Sequence, residues 1–508
     1  ELHMQVKEPV QVHRAAKALK IKFVTVELPL SLIPEAQDTK EFLGFCADQV
    51  RFIKQVFPLP PSNVTCKYAQ GLPPYRAKAS RLTLALWLSN MTARERHEGM
   101  RDWVSPVRVV GLLPQRWWAT GEEGCNFSLT APQAPLVKYP TQFSSITAHE
   151  LGHTFGLYIL PFWGEQYQQF REWGLPADTG LIIKDNRIYN LLNPEEAKIA
   201  FPNPFVPDKG MPAYCFMGLA SDHHGAWVSN EVYSALLWRF MDPPPQKLLY
   251  TSGIIFTDGT VELGDWFITE GEPDDLFGEY EGEYIIECIS SSDEVVYSAD
   301  FGTSGEDCLF SFAIPFPEES AEVIVRRGEK ILVRSKRSKN PPTVTVLSPR
   351  GGESLSDSCE VEWEAADPDG DELTYAVLYS SNGGEDWSVL TTNLEDKRYN
   401  VDLKQLPGGD RCLIKVAATD GFHTGYAQSA PFSVAEKGML VFIDSPQDGE
   451  IYQAGEAVIL TGITSDYEYI NPAHFVLEWT SNLDGKLGTG ETVSIDKLSG
   501  GNHQITLT

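Results

Sequence analysis

Two spacings of apolar residues organise the first half of the chain. Over residues 38–57, Phe42, Leu43, Cys46, Val50, Ile53 and Phe57 recur at near-helical intervals, which predicts an amphipathic helix. Residues 20–28, 81–88 and 107–113 are short apolar runs and predict strands, whereas residues 142–155 predict a second helix. Asp242-Pro243-Pro244-Pro245 then interrupts the chain with a stiff break. Beyond it almost every segment predicts a short strand or a turn.

That second half divides into modules at 246–340, 341–436 and 437–508. The first ends on a basic run between Arg326 and Lys339, which predicts a solvated strand edge leading into a linker at Pro341-Pro342. The second carries Cys359, Trp363, Trp387 and Cys412. A cysteine, a tryptophan and a second cysteine over this length predict an immunoglobulin-like sandwich. Residues 344–349 and 441–446 are both apolar strands closed by Ser-Pro, so the second and third modules read as tandem copies of one architecture. Both resemble fibronectin type III and polycystic-kidney-disease-type domains. Asp367, Asp369 and Asp371 alternate in a turn of the second module and are candidate ligands for Ca2+. The loop lacks the rest of a helix–loop–helix calcium site, so a plain turn is the stronger reading.

Size and charge narrow the class. At roughly 100–200 residues per domain, 508 residues predict three or four domains. A formal net charge of -29 argues against nucleic acid, whose phosphates need a basic patch. No run of about 18 apolar residues predicts a membrane span. A leader removed before Glu1 and a natural chain running past Thr508 are both expected, the latter leaving the third module truncated. The eight cysteines form no CxxC pair, and their even number fits disulfides and an oxidising compartment. Cys288 with Cys308 and Cys359 with Cys412 each fall inside one module and predict intradomain bridges. Sequons at Asn63, Asn90 and Asn126 agree with export, so an extracellular, secreted or cell-surface location is expected.

The stretch that carries chemistry is Ile146-Thr147-Ala148-His149-Glu150-Leu151-Gly152-His153-Thr154-Phe155-Gly156. On a helix, a spacing of four stacks His149 and His153 on one face, where their imidazoles can share one ion. Imidazole nitrogen suits zinc. Glu150 falls on a neighbouring face, placed to take a proton from a metal-activated water. Five-residue motifs also arise by chance. Against that stand the uncharged flanks, the predicted helix, and Gly156, where a chain leaving a helix sharply needs a residue tolerant of positive φ.

With these residues the chain resembles the zincin metallopeptidases, and His149-Glu150-x-x-His153-x-x-Gly156 resembles the metzincin form. That form continues to a third histidine where this chain has Ile159, which cannot bind zinc. Tyr214-Cys215-Phe216-Met217-Gly218 resembles a Met-turn, with Met217 under the metal. The resemblance implies an α+β zincin (metzincin-like) catalytic domain at 1–242, with 157–210 an insertion, followed by all-β immunoglobulin-like sandwich modules. A catalytic zinc needs a third protein ligand. Glu165 is the favoured candidate, His223 or His224 the next, while Glu172 lies at a gluzincin-like spacing without that family's surrounding residues.

The expected function is therefore zinc-dependent hydrolysis of peptide bonds in a polypeptide substrate, with Glu150 as general base. The β modules are expected to space the catalytic domain from a surface or hold it on cell-surface or matrix components. A fragment ending at residue 242 would then stay active on small peptides. Two rivals remain: an adhesion protein with a degenerate peptidase domain, and a zinc hydrolase with a non-peptide substrate.

Overall fold

The computed structural model describes residues 18–26, 37–57, 59, 63–71, 81–99, 107–114, 124–127, 131–140 and 146–154. It also describes five short strands between 172 and 227, and 246–508 except 272–281, 303–306, 437–439, 454, 466–475 and 497.

A five-stranded sheet organises the N-terminal unit. Its strands are β1 (Leu19–Val26), β2 (Val64–Gly71), β3 (Val107–Leu113), β4 (Gly124–Phe127) and β5 (Ala131–Lys138), in the order β2-β1-β3-β5-β4. β2, β1, β3 and β5 run parallel to their neighbours, and β4 alone is antiparallel, at one edge. Helix α1 (Gln37–Val56) follows β1, α2 (Arg81–Arg94) follows β2, and α3 (Ile146–Thr154) follows β5. The six apolar positions that predict α1 are all buried.

Residues 81–88 are not a strand: they open α2, an α-helix that continues into a short π-turn at Glu95–Gly99. The reason is double-sided burial. Gly111 of β3 has no Cβ to collide with Leu88, and Val109 donates its backbone N–H to Thr92 Oγ1 at 3.2 Å, so one side of α2 rests on the sheet. The opposite side, with Leu86, Asn90, Ala93 and Arg94, meets Tyr250, Ser252, Gly264 and Phe267 of the next module. A helix buried on both faces is apolar all round, and a short apolar run then looks like a buried strand.

Among the described residues from 246 onwards the regular elements are β-strands, apart from one 3-10 turn at Leu403–Gln405. Strands Gln246–Ile255, Val261–Leu263, Phe267–Gly271 and Cys308–Pro315 form one sheet. It faces a second made of Tyr284–Ser290, Val295–Phe301, Ser320–Arg327 and Lys330–Lys336. Phe301, Phe310 and Phe312 fill the space between them. The basic run lies on the outer hairpin, where Arg326 pairs with Glu287 at 2.7 Å and Arg334 with Glu322. A second sandwich runs from Thr343 to Val434 around Trp363, Tyr375 and Tyr379. Its strand Ser358–Ala366 alternates exposed and buried residues with period two, as a sheet with one wet face requires. A third pair of three-stranded sheets, from Leu440 to Leu507, closes on Trp479.

The six cysteines whose side chains are described are all free thiols, so neither expected bridge forms. Cys288 and Cys308 pack as small apolar groups in the first sandwich core, and Cys359 and Cys412 do the same in the second. Burial pushes the Cys288 thiol up to about 12 and the Cys359 thiol up to about 11, which keeps both protonated and inert. The sequon at Asn90 also changes meaning. Asn90 is fully buried and accepts hydrogen bonds from Tyr250 Oη at 3.0 Å and Ser252 Oγ at 2.7 Å, so the folded chain offers no glycan acceptor there.

Candidate metal centre on helix α3

α3 packs on α1 and against β4 and β5. Ile146, Ala148 and Leu151 are buried in these contacts, which accounts for the uncharged flanks of the motif. His149 is 6% and Glu150 3% exposed, and the position of His153 follows one helical turn after His149. Burial pushes the Glu150 carboxyl up from the usual carboxylate range to about 8. Residues 149 and 153 stand one helical turn apart, the spacing at which two histidines can share one ion, so these residue types fit zinc.

Of the other candidates, Ile159, Glu165, Met217, His223 and His224 lie outside the described residues. Glu172 begins a short strand, Glu172–Gly174, of a three-stranded antiparallel sheet. Tyr214–Cys215 pairs in parallel with Ala226–Trp227, on either side of the segment that contains Met217 and both histidines.

Both ends of α3 are held by buried polar side chains that the motif does not include. At its start, Gln49 of α1 accepts the Thr147 backbone N–H at 3.1 Å. At its end, Arg108 of β3 donates from Nε to Thr154 Oγ1 at 2.7 Å and from Nη2 to the Thr154 carbonyl at 3.1 Å. A charged residue inside the apolar run Val107–Leu113, and a glutamine on the buried face of α1, were the signals that could have marked them.

Among the described residues, the group of three or more His, Cys, Asp or Glu side chains within reach of one ion is Asp367, Asp369 and Asp371, whose nearest ligand atoms lie within 4.8 Å of one another. Their hydrogen bonds are those of a turn and a linker clasp. Asp367 Oδ1 accepts the backbone N–H groups of Asp369 and Asp371 at 2.8 and 3.1 Å. Asp369 Oδ2 accepts from Ser338 Oγ and from the backbone of Lys339 and Asn340, at 2.8–3.0 Å. The Asn340 backbone and then the Ser338 hydroxyl hold the Asp369 carboxyl down to about 2. That lies below the roughly 3.9 of a free aspartate, so the clasp contributes fully above about pH 4 and fades as pH falls through about 2. Asp369→Ala is expected to raise proteolytic nicking at 338–342 at pH 7 and to raise it less at pH 2, as read by limited proteolysis with an acid-active and a neutral protease.

The fold and this site define a class: a mostly β, multi-sandwich chain with an α/β unit at its N-terminal end that carries a His-Glu-x-x-His helix. The chain matches no protein-family model and no curated protein. Among solved structures it is similar to the fibronectin(III)-like modules of CbhA from Clostridium thermocellum, at 15% identity over 32% of this chain and 84% of that one, with a TM-score of 0.15. It is also similar to the FN1–FN3 domains of chicken CNTN1, at 14% identity over 52% and 87% of the two chains, with a TM-score of 0.16. A two-domain fibronectin type III segment of chicken tenascin matches at 13% identity over 37% and 98%, with a TM-score of 0.15. At scores this low, the sandwich assignment rests on the facing sheets themselves. No helix among the described residues is long and apolar enough to cross a membrane.

Proposed function

We propose that the chain is an extracellular zinc-dependent endopeptidase of metzincin-like type. The observation that carries this reading is the placement of His149 and Glu150, adjacent and buried on α3, beside the antiparallel edge strand β4. His149 and His153 would hold zinc, with Glu165 the favoured third ligand and His223 or His224 the alternatives. Zinc, when bound, supplies Lewis-acid polarisation of the scissile carbonyl and an acidified water. Glu150, in its ionised form, would take a proton from the attacking water and pass it to the leaving amine. Among the described residues β4 pairs only with β5, with a register shift between Cys125 and Phe127. An extended peptide can add to such an edge as a further strand, and bulged edges recur next to active sites. This geometry favours a polypeptide over an ester or glycan. Glu150→Gln is expected to keep zinc at one equivalent, read by metal analysis, and to lose about 100- to 10,000-fold in cleavage of a denatured protein. Full activity in that variant would refute the mechanism.

The second reading, an adhesion or matrix-binding surface protein with a degenerate peptidase unit, draws on Ile159 and on the three sandwiches. Stoichiometric zinc without cleavage of any peptide, ester or glycan in the wild-type chain would favour it. The Asp367–Asp369–Asp371 turn serves either reading as a linker clasp, and calcium there is a lesser proposal that calorimetry with Ca2+ decides.

A further inference from the structure

We propose that Arg108 and Gln49 are positioning residues for the metal helix, and that together they fix the height and rotation of α3 between the sheet and α1. This rests on the zinc reading of His149 and His153, and adds two residues outside the motif to that centre.

α3 has nine residues, too few to be a stable helix on its own. A helix leaves four N–H groups at its start and four carbonyls at its end without intrahelical partners. In α3 one group at each end finds a side chain that is itself buried: Gln49 is 1% and Arg108 5% exposed. Gln49 accepts the Thr147 N–H, two residues before His149. Arg108 grips Thr154, the residue after His153, through both its hydroxyl and its carbonyl. The Thr154 hydroxyl in turn donates to the Leu151 carbonyl at 2.7 Å, so the guanidinium acts on the last turn through a two-step chain. A cation at a helix C-terminus also meets the negative end of the helix dipole.

The strand period explains why Arg108 can do this. Val109 and Leu113 of β3 join the core under α2, and Arg108, one residue away, projects from the other face to α3. β3 lies third of five in the sheet and pairs on both sides, so its backbone is a rigid anchor. The guanidinium fork fixes direction as well as distance, which a lysine ammonium at the same place does not. One turn of α3 separates residues 149 and 153. A tilt or slide of its last turn changes the position of His153 against His149, and metal affinity is sensitive to that geometry.

The test uses the full chain with Arg108→Lys, Gln49→Met and Gln49→Glu, the last keeping an acceptor for the Thr147 N–H. Zinc affinity is read by chelator competition, and centre geometry by the visible spectrum of the cobalt-substituted protein. Helix mobility is read by hydrogen exchange of a peptide covering 146–154 in the metal-free chain. Arg108→Lys and Gln49→Met are expected to weaken zinc about 10- to 100-fold and to shift the cobalt bands. They should also speed exchange across 146–154 about tenfold while the circular dichroism spectrum stays that of wild type. Gln49→Glu is expected to restore near-wild-type exchange and affinity. Unchanged exchange in both Arg108→Lys and Gln49→Met overturns the positioning role whatever the metal does. Faster exchange in these variants, with a wild-type chain that binds no zinc, upholds the clamp on α3 and instead refutes the zinc reading.

Discussion

A fragment ending at residue 242 is expected to lose cooperative unfolding and to expose apolar surface, contrary to the independence that the proline break at 243–245 predicts. The core under α2 is built jointly: Val24, Leu88, Val109 and Leu136 of the N-terminal unit pack with Ile254 and Leu309 of the first sandwich. Removing the sandwich uncovers the stripe Leu86, Asn90, Ala93 and Arg94, all buried in the whole chain. Each large apolar side chain returned to water costs about 1.5–3 kcal/mol, and the lost interface contains several, against a typical domain stability of only about 5–15 kcal/mol. Asn90 also loses both of its donors, Tyr250 and Ser252. Size-exclusion chromatography, thermal unfolding and dye binding read the outcome. A monomeric 1–242 fragment with a sharp transition and whole-chain turnover of a small peptide would refute it, and would return the β modules to the role of spacers.

The contrast between α1 and α2 shows what the sequence could convey. α1 has one buried face, so its apolar residues fall at helical intervals and mark it directly. α2 is covered from both sides, partly by a module more than 150 residues further on, so local period carries no trace of its helical state. The sheet was legible where strands are short apolar runs, as in β1 and β3, but its order depends on pairings between distant segments. The β character of the second half was legible from its turns, while the free state of Cys288, Cys308, Cys359 and Cys412 was not: a buried cysteine packs as a small apolar group whether or not it is bridged. At the site, the motif named His149, Glu150 and His153, because that chemistry is confined to one helix. Gln49 and Arg108 act through tertiary contacts 98 and 46 residues away, and only their polar character in apolar surroundings hinted at a task.

The second large effect is expected at Asp265, where three parts of the chain meet. Asp265, in the first sandwich, is fully buried and accepts from Arg94 Nε at 2.8 Å and Arg94 Nη2 at 3.2 Å, at the end of α2. From the second sandwich it accepts Thr374 Oγ1 at 3.2 Å and also the Thr392 hydroxyl. The Arg94 guanidinium lies 3.9 Å above the centre of the Phe267 ring, itself buried. A parallel contact, in which Lys22 Nζ bonds Glu95 Oε1 and the Val389 carbonyl at 2.7 Å each, ties β1 to the second sandwich a short way along the chain. Asp265→Ala removes the buried carboxylate that the Arg94 guanidinium meets through two of its nitrogens, which is expected to cost about 3–5 kcal/mol, read as the shift of the urea midpoint of the whole chain. Arg94→Met alone is expected to be comparably damaging, because it strands the carboxylate. The pair Arg94→Met with Asp265→Leu removes both charges and fills similar volume, so it is expected to recover most of the loss, since well-packed apolar replacements of buried ion pairs are often neutral. Additive losses in that double variant would mean that the two residues act separately, and the junction would then rest on its apolar packing and on the contacts of Asn90 and Lys22.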